Sequence, residues 1–236
     1  MSAVTHKDGA DPHGDSPIGA SDPKKHSPGW NLAHHFDTAD QQFDSARMGI
    51  WLFLVTEILF FGGLFCAFFI FRSWYLESFI EANHHLDKVM GAVNTMVLIF
   101  SSLTMALAVR SAQVNDRKKT VALLFVTLLC AGAFLVVKYF EYTHKIHDGL
   151  LPGKWFHAQG FHSAHAGMFF AIYFMMTGIH GLHVVIGMGL IVWIMIRANN
   201  GEFSQRYYAP VEGVGLYWHL VDLVWIYLFP LLYLVG

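Results

Sequence analysis

Five apolar stretches, at about 48–72, 89–112, 120–141, 164–197 and 211–235, dominate the chain. Each holds at least the ~20 residues that a helix needs to cross ~30 Å of hydrocarbon. A backbone that leaves water must satisfy its own N–H and C=O groups, and a single apolar segment does so only as a helix. The expected fold is therefore an all-α integral membrane protein, a bundle of five transmembrane helices. Composition agrees, because charged residues fall to 14% against the roughly 25% usual in soluble domains. The fourth run is too long for one perpendicular crossing and too short for two with a turn, so it is expected to tilt or to project beyond the bilayer.

Residues 1–45 are rich in Asp, His, Gly, Pro and Ser and almost lack aliphatics. They read as a polar tail, largely disordered because it cannot bury enough surface to offset its ordering entropy. The part from 30 to 45 gains Trp30, Phe36 and Phe43 and is suited to docking on the membrane or a partner. The tail histidines, His6, His13, His26, His34 and His35, read as solvated side chains, with weak metal attraction as the sharper alternative. No apolar run precedes Met48, so insertion is expected to use the spans themselves.

Lys and Arg set the orientation, because basic loops stay in the cytoplasm. With the N-terminus inside, the inner segments carry the compact "NDRKK" loop with Arg117, Lys118 and Lys119, together with Arg47, Arg110, Arg197, Arg206 and the tail lysines. The outer side carries half as many, at Arg72, Lys88, Lys138, Lys145 and Lys154. A cytoplasmic N-terminus and an outside C-terminus follow. Cys66 and Cys130 then lie at different depths in helices of the same direction and are not expected to pair. No basic face with interleaved aromatics marks a nucleic-acid partner.

Ionisable groups inside spans cost at least ~2.5–3.5 kcal/mol when they face lipid, so these are expected to face protein or water. Glu57 lies ~14 Å into the first span and needs a partner or a proton. Interhelical hydrogen bonding is the plainer role and a proton relay the sharper one. Lys138 and Glu141, three apart near the outer end of the third helix, read as a local ion pair. In "TGIHGLHVVIGMG", His180 and His183 stand among Gly178, Gly181, Gly187 and Gly189, which reads first as a helix-packing face. With His162 and His165 the pair suggests a membrane metal site only weakly, since no carboxylate accompanies it in that helix.

In the last span, Pro210 and Glu212 suit the first helical turn. Glu212, Gly215, His219, Asp222 and Ile226 share one stripe, so His219 and Asp222 are placed to form a charge-assisted hydrogen bond. That pair is either a general base with its orienting carboxylate or a structural clamp. Without a nucleophile or metal in view, the clamp is the reading taken. Asn94, Thr95, Ser101, Ser102 and Thr104 in the second span suit hydrogen bonds between helices.

Three segments, in order, resemble subunit III of the heme-copper terminal oxidases, cytochrome c oxidase above all. They are "RMGIWLFLVTEILFFGGLFCAFF", "YFMMTGIHGLHVVIG" and "VEGVGLYWHLVDLVWIYLF". The resemblance runs from about Ala46 to the end and fits the five-helix bacterial form, which lacks the first two helices of seven-helix members. It implies an accessory subunit without catalytic residues or metal of its own, in a bacterial inner membrane. Heme and copper would sit in partner subunits. The implied partners are the catalytic subunit I, subunit II, phospholipids and further respiratory complexes. Glu57, His180, His183, Glu212, His219 and Asp222 become candidates for helix contact, lipid binding or support of proton uptake. The equivalent subunit of a quinol oxidase or a nitric oxide reductase is the nearest alternative. A stand-alone histidine-ligated metalloenzyme is the alternative of another class, and a transporter is disfavoured by the absence of an internal repeat.

Overall fold

The computed structural model describes residues 39–84, 86–152, 165–203 and 208–235. Six α-helices appear in the order α1 (Ala39–Trp74), α2 (Leu76–Asn83), α3 (Lys88–Gln113), α4 (Arg117–His147), α5 (Ala166–Asn199) and α6 (Ala209–Phe229). All except α2 are long and apolar enough to cross a membrane. The five expected spans are therefore present, with ends shifted by a few residues. The fourth is one uninterrupted helix of 34 residues, about 51 Å long at 1.5 Å per residue. The first begins at Ala39, so its helix reaches into the segment read as tail. Most of that tail, with its five histidines, lies outside the described residues, as do Lys154, His162 and Arg206.

The turns follow from their residues. Asp87 caps α3, its Oδ1 accepting from the backbone N–H of Val89 at 2.9 Å and of Met90 at 3.1 Å. Asp116 caps α4 by accepting from Lys119 N–H at 3.2 Å. The adjoining ammonium of Lys119, 2.9 Å away, holds the Asp116 carboxyl below the usual carboxylate range. The C-terminal ends of α4 and α5 close through Gly149 (φ 73°) and Gly201 (φ 75°), where a side chain would be strained.

Helix α6 is the hub. Of its most apolar 18-residue window 56% is buried, against 17% for α1. Antiparallel α3 and α4 are joined by a Thr104–Thr127 hydroxyl pair at 2.8 Å. Trp218 and Trp225 of α6 donate their indole N–H groups to Ser101 at 2.9 Å and Thr95 at 3.1 Å of α3. The hydroxyls of the second span thus do bond across helices, whereas Asn94, though buried, has no hydrogen-bond partner among the described residues. α1 runs alongside α6 through Phe53–Tyr217 and Phe65–Tyr227 ring contacts.

Pro230 ends the regular part of α6. Its ring supplies no N–H, and the chain widens into a π turn over Pro230–Leu234, with Val235 N–H donating to Pro230 O at 3.0 Å. The buried Asn83 side chain at the end of α2 donates to Leu232 O at 2.6 Å. Helix α2 is not among the expected elements. Eight residues with mixed polarity give little periodic signal, and its place comes from burying Phe79 between Phe68 of α1 and Phe169 of α5 at 5.5 and 5.3 Å.

Only part of the glycine face of α5 is a close-approach surface. A Cβ at Gly187 would come within 2.8 Å of the Trp218 ring, whereas one at Gly181 or Gly189 meets nothing within 4 Å. Gly178 has ordinary clearance from Tyr142. Cys66 and Cys130 are free, as expected.

Candidate functional site: two intramembrane polar clusters and a cavity

Helices α1, α5 and α6 diverge at the end of the bundle that carries the start of α1. Between them lies a cavity of 760 Å³ lined by Phe43, Arg47, Phe53, Leu190, Trp193 and Tyr217 among others. Its wall is overwhelmingly apolar, and its polar groups are few: Gln42 and Arg47 in the first three turns of α1, Glu212 in the first turn of α6, and Glu57 with His183 deeper in.

Glu57 and His183 meet across α1 and α5, with Oε2 and Nε2 3.1 Å apart. His183 Nδ1 lies 2.8 Å from Ile179 O one turn earlier. A nitrogen facing a carbonyl must donate, so Nδ1 carries a hydrogen and Nε2 is left to share one further proton with the Glu57 carboxyl. Whether that proton sits on oxygen or nitrogen, the hydrogen bond persists. Both side chains are partly accessible, at 18% and 15%, which leaves this proton within reach of the cavity. Tyr217 of α6 donates to the backbone carbonyl of His183 at 3.1 Å, and Phe61 meets its ring edge to face at 5.1 Å. These contacts fix the imidazole in place. Glu212 opens into the same cavity, and its Oε2 has no hydrogen-bond partner among the described residues.

At the opposite end of the bundle, Lys138 and Glu141 form the expected i,i+3 pair at 2.7 Å. The pair is part of a larger buried network. Glu141 Oε1 accepts from Tyr233 OH at 2.6 Å and Tyr173 OH at 2.8 Å, with Lys145 Nζ at 3.5 Å. Lys138 also donates to Tyr233 OH at 2.8 Å and stands 4.5 Å from the centre of the Trp225 ring. Ring faces and hydroxyls surround two ammonium groups and one carboxylate, so every charge has a partner. The network ties α4 to α5 and to the π turn after α6. Lys145 was legible as a member, one helical turn beyond Glu141. Tyr173 and Tyr233, far away in the chain, carried no local signal.

The remaining candidates separate. His219 does not bond to Asp222: its Nδ1 pairs with Ser102 Oγ of α3 at 2.7 Å, while neither Asp222 oxygen has a hydrogen-bond partner among the described residues. The i,i+3 spacing permits contact, but α6 packs this stripe on α3, where a hydroxyl already meets the imidazole. His180 is fully buried between the rings of Phe134 at 5.6 Å and Trp225 at 5.2 Å, with neither nitrogen hydrogen-bonded among the described residues. His165 lies on Tyr75 at 4.5 Å. No group of three or more metal-ligating side chains exists among the described residues.

A multi-pass helical membrane protein with its ionisable groups turned inward is the class that this fold defines. The sequence model of the cytochrome c oxidase subunit III family matches residues 32–236, and the chain belongs to that family. It is 32% identical to a cytochrome c oxidase subunit 3 of Synechocystis, over 89% of this chain and 82% of the relative. A quinol oxidase subunit 3 of Bacillus spizizenii is 29% identical over 80% of this chain and 86% of the relative. A heme-copper oxidase subunit I+III of Aeropyrum pernix is 31% identical over 81% of this chain, which spans only 23% of that longer protein. The chain is thus a subunit III of the heme-copper oxidase family, whose relatives are parts of oxidoreductase complexes.

Proposed function

We propose that this chain is a cofactor-free companion of the oxygen-reducing catalytic subunit in a proton-pumping cytochrome c oxidase. In that role it stabilises the complex, holds phospholipid and supports proton uptake from the cytoplasmic side of a bacterial inner membrane. The N-terminus lies in the cytoplasm and residues 46–236 form the membrane domain. The observation that carries the reading is the Glu57–His183 pair, a carboxyl and an imidazole 3.1 Å apart that join two helices at the wall of a largely apolar cavity. A relative that names subunits I and III in one chain supports side-by-side packing on the catalytic subunit. An apolar cavity with Arg47 of α1 on its wall suits acyl chains with a phosphate beside that cation.

Cytochrome c is taken as electron donor over quinol. Both names occur among the relatives, and turnover of the purified complex with each donor decides between them. Turnover with nitric oxide alone would reject an oxygen-reducing partner. The accessory role is tested on the same preparation: heme and copper should co-purify with a large partner in mild detergent. The isolated chain should show no stoichiometric heme or metal, and heme bound by His180 or His219 would overturn the reading.

A further inference from the structure

We propose that the groove between the start of α4 and the end of α5 is a second lipid site, selective for an anionic phospholipid, with Arg117 and Lys118 holding the phosphate. The groove has a volume of 650 Å³ and is lined by these two cations, by Val121, Ala122 and Phe125 of α4, and by Met195, Ile196 and Asn199 of α5. It faces away from the Glu57 cavity. His183, Ile186, Leu190 and Trp193 line that cavity, whereas Met195, Ile196 and Asn199 point to the other side of α5 at 100° per residue. The proposal therefore stands apart from the lipid reading of the first cavity.

The groove divides by chemistry along its length. From Arg117 to Phe125 α4 rises about 12 Å, from a cationic rim to a floor of aliphatic and aromatic side chains. Phe125 and Ile196 stay half exposed, at 50% and 56%. That is the order of a phospholipid, phosphate first and acyl chains below.

The cations near this end are not equivalent. Lys119 is committed to Asp116 at 2.9 Å. Arg197 bonds Glu202 at 2.6 Å and lies over the rings of Trp193 and Phe203. Arg117 donates from Nη2 to Asn199 Oδ1 at 3.2 Å, which spans the groove and aims the guanidinium over it. Among the described residues one of its five N–H donors is used this way, and a guanidinium can offer others to a phosphate. Lys118 stands exposed on the same rim. Two positive charges over an apolar trough favour an anionic headgroup over a zwitterionic one.

The test uses the assembled complex in nanodiscs of phosphatidylcholine and phosphatidylglycerol in equal parts, each tagged in turn. Phe125 is replaced by a photo-crosslinking phenylalanine analogue. Phosphatidylglycerol should label several-fold more than phosphatidylcholine, and labelling should fall about fivefold for each cation removed by Arg117→Gln or Lys118→Gln. Lys119→Gln, already paired and off the groove, should change nothing. Equal labelling by the two lipids, or no response to Arg117→Gln with Lys118→Gln, overturns the proposal. So does crosslinking to a polypeptide in place of lipid, or protection by inorganic phosphate beyond that of chloride at equal ionic strength. The same probe at Ile186 reports the first cavity, so failure at one groove is distinguished from failure at the other.

Discussion

The Lys138–Glu141–Lys145 network and the Glu57–His183 pair both hold ionisable groups at membrane depth, and they handle the cost differently. The first is closed: two ammoniums, one carboxylate, two phenols and an indole ring satisfy one another, with the charged side chains no more than 9% exposed. The second is open: one carboxyl and one imidazole share a proton beside a cavity, with three helices around them and a second carboxyl, Glu212, facing the same space. In the closed network each charged group already has a partner inside the cluster. An open pair loses no hydrogen bond when its proton moves between oxygen and nitrogen. The first ties α4, α5 and the turn after α6 together, and the second is where the proposed proton uptake would act.

The largest effect should come from breaking the closed cluster. Glu141→Ala leaves two buried ammoniums without a carboxylate and should cost about 3–5 kcal/mol. The expected outcome is loss of this subunit from the purified complex, and recovery near the wild-type level would show that the charges are not paired as described. Next comes the close contact between α5 and α6 at Gly187 and Trp218. Gly187→Leu drives a side chain into Trp218 and should cost about 1–3 kcal/mol, seen as a lower apparent Tm of the complex, while Gly181→Ala in open space should not lower it.

Glu57→Gln sharpens the comparison directly. A carboxamide keeps a hydrogen bond to His183 but cannot exchange the proton, so assembly and Tm should hold while proton uptake during turnover slows. A loss of assembly equal to that of Glu141→Ala would place both clusters in one structural class. The smallest change should be Ser102→Ala, which removes the partner of His219 and should cost about 0.6–1.7 kcal/mol, within the range of interhelical hydrogen bonds in membranes. Asp222→Asn tests the expected pairing from the other side: with no bond from Asp222 to His219, the stability lost through Ser102→Ala should be the same in either background.

Much of this was readable along the chain. The five spans emerged because hydrocarbon thickness demands long apolar runs, and Lys138–Glu141 emerged because i,i+3 neighbours on a helix must meet. Glu57 was singled out as needing a partner and His183 as part of a packing face, yet nothing local paired them, since a separation of 126 positions carries no distance information. The His219–Asp222 expectation failed for the same reason: spacing limits which contacts are possible, and the packing partner, here Ser102 of α3, chooses among them. Helix α2 was missed because eight residues of mixed polarity become a helix only once Phe79 has rings to pack against.

The sequence by itself determined how many times the chain can cross a membrane and which ionisable groups would have to hide from lipid, because both follow from transfer energies that belong to residues and short segments. Only the tertiary structure decided which of those groups close on each other and which border a cavity. That depends on helix rotation and crossing, set by contacts such as Gly187 on Trp218 between residues distant in the chain.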